Sequence, residues 1–253
     1  MGKLKLFSPD VGLARSSEGE LEVPDSMIEQ FEKQSKFLGK GMTAHVITFD
    51  RRFGESEVAS DVLGDRYVEV ALKVFDSNSK DILNWPTQEA DIQQKAERRG
   101  VRTPKVFGIV ENSSGQQAIA MERIRGYSLE DIVGENMIHS GQIKLPADFT
   151  WDGFWAEAEL MIKRLHEKRE DDSDIPAPIY HRDIKLGNLM IDLTNGRPVI
   201  IDFGLSGQVY TEEDDPYLYN PPYGPTRAFV QDEVGLTSAK NIFSNYLVGG
   251  QSI

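Results

Sequence analysis

The chain has 253 residues, 39% of them hydrophobic, so it is long enough to bury one large core or the cores of two small lobes. Its formal net charge of -13 argues against a general nucleic-acid binder, because a surface that follows phosphate groups needs clustered Lys and Arg. The absence of cysteine excludes disulfides, thiolate nucleophiles and cysteine metal sites, and no apolar run is long enough to span a membrane.

The first part of the chain carries few structural signals. Residues 8–24 are polar and acidic, and Ser26 and Glu29 then have the S-x-x-E spacing of a capping box that opens a short helix. We therefore predict an N-terminal extension over residues 1–32 and a folded domain over residues 33–253.

The next part of the chain is rich in strand signals. Runs of β-branched and aromatic residues alternate with clusters of Gly, Asp and Ser. The predicted strands are 37–41, 46–49, 67–75, 106–110 and 117–122, and the predicted helices are 87–99 and 128–133. The five strands and the longer helix would form a small β-rich lobe.

From residue 151 onward the pattern favours helix. Apolar residues recur on one face of residues 151–168, which predicts a core helix. These residues are Phe154, Leu160, Met161 and Leu165. Two short apolar runs follow, at 189–192 and 199–202, and each lies beside polar residues that a buried strand does not otherwise tolerate. We expect these polar residues to carry the chemistry.

One of these polar clusters is the segment 181–188, which reads His-Arg-Asp-Ile-Lys-Leu-Gly-Asn. It resembles the catalytic loop of protein kinases, in which an Asp accepts the proton of the substrate hydroxyl and an Asn five positions later holds magnesium. Asp183 and Asn188 have this spacing. If this match is considered without the other motifs, the alternative interpretation is a surface turn that contains an Asp by chance.

The second cluster is Asp202-Phe203-Gly204, which follows the apolar run 199–201. It resembles the kinase motif whose Asp binds magnesium at the end of a strand. Each short match is weak by itself, but the order and separation of the two favour a phosphotransfer site.

A glycine-rich segment precedes both clusters. Residues 39–46 read Gly-Lys-Gly-Met-Thr-Ala-His-Val and resemble the phosphate loop G-x-G-x-x-G-x-V, with Ala44 in place of the third glycine. Gly39 and Gly41 would let backbone N–H groups approach phosphate oxygens closely, and alanine is the smallest departure from the pattern. A plain hairpin turn is the alternative interpretation.

Lys73 lies in the run Ala-Leu-Lys-Val at 71–74. This run resembles the V-A-I-K strand, whose lysine binds the α- and β-phosphates of ATP and a helix glutamate. We favour Glu89 as that glutamate, because it lies in the first turns of the predicted helix, and we expect Glu97 on a solvated face. The alternative interpretation, if Lys73 is considered alone, is a lysine on a strand that is exposed to solvent and has no special role.

Residues 121–124 end a predicted strand ahead of Gly126 and resemble the hinge of protein kinases. By that resemblance the backbone of Glu122 and Ile124 would hydrogen-bond adenine, and Met121 would be the gatekeeper. The apolar side chains that would enclose the purine are Leu38, Val46, Ala71 and Met190, and each equally suits an ordinary core.

Taken together, residues 37–205 resemble the eukaryotic-type protein kinase family across both lobes. The resemblance implies an α+β, two-lobe fold with a β-rich N-lobe at 33–121, a hinge at 122–127 and a reduced helical C-lobe at 128–253. It also implies Mg²⁺-dependent transfer of the γ-phosphoryl group of ATP to a hydroxyl of a protein substrate.

The same resemblance implies a role for each site residue. Asp183 would be the catalytic base, assisted by Lys73 and Glu89. Lys185 would neutralise the transferring phosphoryl group, and its position favours Ser/Thr over Tyr substrates. The metal ligands would be Asn188 and Asp202.

The C-terminal part departs from the family pattern. Few residues follow Gly204 and no A-P-E sequence is present, so we expect a minimal C-lobe similar to that of secreted bacterial effector kinases. The stretch 232–246 would supply its central helix, with Asp232 supporting the catalytic loop. We expect a soluble, cytoplasmic protein, with a secreted effector acting in a host cell as the alternative.

Two other functions compete with a protein kinase. Small-molecule phosphotransferases of the aminoglycoside- or choline-kinase type share the scaffold, but they usually lack counterparts of Arg182 and Lys185. A pseudokinase used as a binding module would need a decayed catalytic position, and none is decayed. We expect an unidentified protein substrate and no nucleic-acid partner.

Overall fold

The computed structural model describes residues 2–6, 20–23, 35–40, 44–49, 70–75, 86–111, 117–168, 177–208 and 224–249. The chain divides into two units, the first comprising Met1–Asp91 and Pro104–Arg123 and the second Ile92–Thr103 and Ile124–Ile253. The first unit is built on a β-sheet and the second is mainly helical. The predicted α+β fold class is therefore confirmed, whereas the predicted bounds of extension, lobes and hinge stay predictions.

In the part of the chain that the structure describes, seven strands form the antiparallel sheet of the first unit. They are β1 Gly2–Leu6, β2 Glu20–Val23, β3 Ser35–Lys40, β4 Ala44–Phe49, β5 Val70–Phe75, β6 Val106–Glu111 and β7 Gln117–Glu122. Their order in the sheet is β2-β1-β6-β7-β5-β4-β3. Helix α1 spans Pro86–Arg98. Because side chains alternate along a strand, Ile119 joins one apolar cluster with Phe75, and Ala118 and Ala120 join another with Leu72.

Strands β1 and β2 were not assigned from the sequence, so the predicted count of five strands is too low. Strand β1 pairs with β6 and extends the sheet beyond the predicted edge. The backbone register of β1 with β2 puts Lys3 opposite Glu22 and Lys5 opposite Glu20. A signal was present, because both strands alternate charged and apolar residues, but each run is only five or four residues long.

Besides the second half of α1 and a 3₁₀ turn at Leu186–Asn188, the second unit contains three α-helices and five short strands among the residues that the structure describes. The helices are α2 Leu129–Gly134, α3 Trp151–His166 and α4 Gly224–Gly249. The strands are β8 Gly126–Ser128, β9 Ile179–Tyr180, β10 Leu189–Asp192, β11 Pro198–Ile200 and β12 Gly207–Gln208. Ser128 caps α2 by accepting from Asp131 N–H, and Thr150 caps α3 by accepting from Gly153 N–H. The helices predicted at 128–133 and 151–168 are confirmed.

Helix α3 forms the centre of the second unit's core. Its buried face repeats every three or four residues and packs with apolar side chains of α2 and α4. This face consists of Phe154, Trp155, Ala158, Met161, Ile162 and Leu165. The prediction was wrong for Leu160, which is 45% exposed because it lies on the opposite side of the helix.

The C-terminal end of α3 is held by a buried arginine. Arg99 is 2% exposed and donates to the carbonyl oxygens of Arg164, Leu165 and Ala177 at 2.7–3.1 Å. The bonds to Arg164 and Leu165 satisfy carbonyl groups that the end of α3 leaves without partners, and the bond to Ala177 ties the helix end to the segment before β9. In the described part of the chain, none of the helices combines the length and apolar character that a membrane span requires.

Candidate active site

A buried ion pair joins strand β5 to the first turn of helix α1 in the first unit. Lys73 Nζ donates to Glu89 Oε1 at 2.5 Å, and the two side chains are 12% and 2% exposed. The ammonium also lies 5.6 Å from the centroid of the Phe75 ring. A buried lysine stays charged only when a carboxylate compensates it, so each residue fixes the other. The structure thus brings together the pair chosen from the sequence, whereas Glu97 is exposed.

The strands beside Lys73 carry several residues predicted to bind the nucleotide. Backbone pairing places Gly39 of β3 opposite Val46 of β4, and Val46 opposite Lys73 of β5. Ala71, two residues before Lys73, is opposite Met121 of β7. These residues therefore occupy adjoining strands of one sheet, as the predicted nucleotide site requires of them.

The remaining nucleotide candidates are more dispersed. Leu38 lies at the shift in register between β3 and β4 and is 46% exposed, and Glu122 ends β7. Ile124 and Met190 belong to the second unit, where Ile124 is buried and Met190 is half-buried on β10. Gly41 lies outside the described residues.

The catalytic-loop segment of the second unit is fixed to helix α4 by a buried aspartate. Asp232 is fully buried, and its carboxylate accepts from His181 N–H at 2.8 Å and from Arg182 N–H at 2.6 Å. One turn further along α4, Gly235 approaches so closely that a side chain there would overlap Ile184 O. Helix α4 therefore positions the start of the loop, and the predicted support by Asp232 is confirmed.

His166 completes this support and was not identified from the sequence. Its Nε2 lies 3.0 Å from Asp232 Oδ2, and its side chain is 4% exposed at the end of α3. The ring contacts Tyr180, with 5.0 Å between centroids. Burial, followed by the charge of Asp232, raises the pKa of Tyr180. No local signal could have identified His166, because its partner lies 66 residues further along the chain.

Asp183 lies in this loop with one carboxylate oxygen held by two neighbours. Lys185 Nζ donates to Asp183 Oδ2 at 2.7 Å, and Asn188 Nδ2 donates to the same oxygen at 2.8 Å. Asn188 Nδ2 also donates to Asp183 O at 2.8 Å. The Asp183 side chain is 29% exposed, and within the described ranges nothing hydrogen-bonds its second oxygen. An oriented, accessible carboxylate of this kind is suited to accept a proton.

The charge of Lys185 is stabilised by its surroundings. Its hydrogen bond to Asp183 raises its pKa, and the charges of Asp183, Asp202 and Glu130 act in the same direction. Lys185 therefore stays protonated at neutral pH. Because its side chain is 57% exposed, water screens these charges, and the pair adds little to stability.

Asp202 follows strand β11 and is tied to the catalytic loop through its neighbours. Ile201 N–H donates to Asn188 O at 3.1 Å, and His181 Nε2 donates to Ile201 O at 3.0 Å. The Phe203 ring packs edge-on to the His181 ring, with 4.9 Å between centroids. The two motifs recognised in the sequence therefore form one connected group.

Two residues of this group have backbone conformations that side chains disfavour. Arg182 has φ of 68° and Asp202 has φ of 64°. The left-handed region costs roughly 1–2 kcal/mol for a residue with a Cβ, so the surrounding bonds must hold it. Such strain concentrates at functional sites.

Asn188 and Asp202, the predicted magnesium ligands, have donor chemistry that fits a hard cation. Asp202 offers carboxylate oxygens, and the Asn188 amide oxygen is available because the NH₂ group donates to Asp183. Mg²⁺ needs few protein ligands, since phosphate and water complete its shell. Within the described ranges, no group of three His, Cys, Asp or Glu side chains forms a metal site made of protein alone.

Acidification is expected to destabilise the protein through His181. The imidazole is fully buried, and burial lowers its pKa below the ordinary value of 6.5, with partial opposition from Asp232. The folded state favours the neutral ring, so this stability is present above pH 6.5 and is lost as the pH falls below it. We expect the free energy of unfolding to fall from about pH 7.5 to 5.5, by at most about 1.4 kcal/mol per pH unit from this group.

Urea unfolding at several pH values measures this dependence, and two histidine variants assign it. His181→Gln cannot gain a proton and should flatten the curve, although the loss of its packing lowers stability at every pH. His139→Gln changes an exposed histidine and should keep the wild-type slope. A wild-type slope in His181→Gln would contradict the assignment.

Two comparisons relate this chain to known proteins. The sequence matches the family model of the protein kinase domain over residues 34–244. The structure is similar to that of PK-1, a kinase of the Cydia pomonella granulovirus, with 18% sequence identity and a TM-score of 0.42. The similarity covers 74% of this chain and 57% of the viral one, so the chain spans little more than half of the viral kinase.

Proposed function

Because the chain belongs to the protein kinase family, we propose that it transfers the γ-phosphoryl group of ATP to a Ser or Thr hydroxyl of a protein substrate. The observation that carries the proposal is the accessible carboxylate of Asp183, oriented by Lys185 and Asn188. Phosphotransfer from ATP is supported by the family. The choice of Ser or Thr rests on Lys185, two residues after the proposed base.

In this mechanism Asp183 is the general base. The substrate hydroxyl oxygen forms a bond to the γ-phosphorus as the bond from that phosphorus to the β-phosphate oxygen breaks, and the hydroxyl proton passes to Asp183. The hydrogen bonds from Lys185 and Asn188 hold one oxygen of the carboxylate, which directs the other towards the proton. The positive charge of Lys185 would offset charge on the transferring phosphoryl group.

The other site residues would bind ATP and magnesium. Lys73, oriented by Glu89, would bind the α- and β-phosphates, and the backbone of Gly39 and Gly41 would approach the phosphates. Asn188 and Asp202 would hold Mg²⁺, which when bound neutralises charge on the phosphates. In this proposal ATP is the phosphoryl donor.

The first test is transfer of label from γ-labelled ATP with Mg²⁺ in a cell lysate, followed by identification of the labelled sites. We expect label on Ser or Thr of proteins, and about 10²- to 10⁴-fold slower labelling with Asp183→Asn in place of the wild type. Label on small molecules alone would instead identify a small-molecule phosphotransferase. ATP binding without transfer would identify a pseudokinase. The cell compartment, cytoplasmic or that of a host cell, stays a prediction.

A further inference from the structure

Glu130 lies in the first turn of helix α2, beside the catalytic loop of the same unit. Its Oε2 is 2.5 Å from the position that a Cβ on Gly187 would occupy, and Lys185 Cε is 3.8 Å from that position. Lys185 in turn donates to Asp183 at 2.7 Å. A single lysine side chain therefore separates the Glu130 carboxylate from the proposed base.

The Glu130 carboxylate is available to a ligand. Its side chain is exposed, and it forms no hydrogen bond or ion pair with any residue that the structure describes. Its charge nevertheless reaches the loop, because it contributes to the raised pKa of Lys185. Glycine at position 187 permits this approach, since a larger residue there would displace the carboxylate. A solvent-accessible negative charge thus lies next to the place where a substrate hydroxyl must bind.

We infer that Glu130 determines specificity by selecting protein substrates with Lys or Arg near the phosphorylated hydroxyl. The inference rests on the proposed kinase function. Three carboxylates, those of Asp183, Asp202 and Glu130, act on the single ammonium of Lys185. Magnesium would neutralise charge at Asp202, which leaves Glu130 as the carboxylate that a substrate cation can pair with. An acidic substrate residue at the same place would be repelled.

The reach of a peptide makes this pairing specific to a few positions. An extended chain advances about 3.3–3.6 Å per residue, and a Lys or Arg side chain adds several ångströms. A cation within about three residues of the acceptor therefore reaches a carboxylate that is one lysine side chain from the base. The experiment accordingly moves the cation through these positions on both sides of the acceptor.

The test uses pairs of Ser peptides that carry either Arg or citrulline, which has nearly the same shape and no charge. The readout is the ratio of kcat/KM for the two peptides. For the best position we expect the wild type to favour Arg about two- to fivefold at low salt, as for one exposed charge pair, and less at high salt. Glu130→Gln should bring the ratio close to one, and Glu130→Lys should favour a peptide with Glu at that position.

Glu135→Gln is the matched control, because it removes the same charge from the other end of α2. Glu135 is exposed and does not contribute to the raised pKa of Lys185, so this variant should keep the wild-type ratio. Thermal unfolding establishes that each variant is folded.

The outcomes separate this inference from the proposed function. A wild-type enzyme that phosphorylates Arg and citrulline peptides equally would overturn the inference and leave the kinase assignment intact. Equal losses on both peptides in Glu130→Gln would also overturn it, because they would show that Glu130 acts by positioning Lys185. Failure of the wild type to phosphorylate any peptide or protein would overturn both.

Discussion

Replacing Asp183 with Asn is expected to lower kcat about 10²- to 10⁴-fold, which corresponds to roughly 3 to 5 kcal/mol of barrier. An amide cannot accept the hydroxyl proton, but it keeps the size of the carboxylate and can still accept a hydrogen bond from Lys185. The loss should therefore appear in the chemical step, with little change in the KM for ATP. The loss is measured from initial rates with γ-labelled ATP and an unphosphorylated peptide whose sequence contains a site that was labelled in the lysate screen.

The control for this prediction is Asp148→Asn, which removes an exposed carboxylate of the same unit. Its rates should stay within about twofold of the wild type, since surface changes away from a site have small effects. An Asp183→Asn enzyme as active as the wild type would remove Asp183 from the role of base. Thermal unfolding of both variants separates loss of chemistry from loss of fold.

The proposed catalytic residues could be identified from the sequence because they lie close together in the chain. Asp183 and Asn188 are five positions apart, and the 3₁₀ turn at Leu186–Asn188 brings the amide of Asn188 back to Asp183. Lys185 reaches the same carboxylate from two positions away. Motif spacing therefore identified these three residues as neighbours in one loop, whereas their shared hydrogen bonds to the Asp183 carboxylate were found only in the structure.

The supporting residues could not be predicted in the same way, because their partners are distant in the chain. Arg99 looks like a basic residue at the end of a surface helix, but it is buried and donates to a carbonyl oxygen 78 residues away. His166 likewise meets Asp232 only through packing of α3 against α4. Asp232 itself was identified from the family pattern, since the residues next to it in the sequence do not indicate that it is fully buried.

The strands were predicted best where hydrophobic residues are dense. Strands β5 and β7 are largely buried, and their apolar character identified both. Strands β1 and β2 have charged residues at alternate positions, a pattern that also suits a solvated segment. Only the pairing of β1 with β2 and with β6 distinguishes the two possibilities, and the pairing with β6 joins residues about a hundred positions apart.

Removal of the Asp232 carboxylate is expected to lower the stability of the protein strongly. Activity should fall as well, because the catalytic-loop segment loses its support. Asp232→Ala would remove the acceptor of the buried His181 N–H and of the partly buried Arg182 N–H, together with the hydrogen bond to His166. We expect a loss of about 3–5 kcal/mol in the free energy of unfolding, because each orphaned buried group costs about 1–3 kcal/mol. Urea unfolding at pH 7.5 measures this loss.

Asp232→Asn keeps activity measurable and tests the positioning role. The amide offers one acceptor oxygen where the carboxylate offers two. In one orientation its NH₂ group would face Arg182 N–H, and in the other it would face the donors of His181 and His166. Arg182 has a left-handed backbone, and weaker support should let it relax and shift Asp183. We expect a smaller loss of stability than in Asp232→Ala and a roughly ten- to hundredfold fall in kcat, since small displacements of a base are costly.

The control is Glu233→Ala, on the exposed side of α4, which should change neither the free energy of unfolding nor kcat appreciably. A destabilised Asp232→Asn protein with wild-type kcat would show that Asp232 supports the fold without positioning the base.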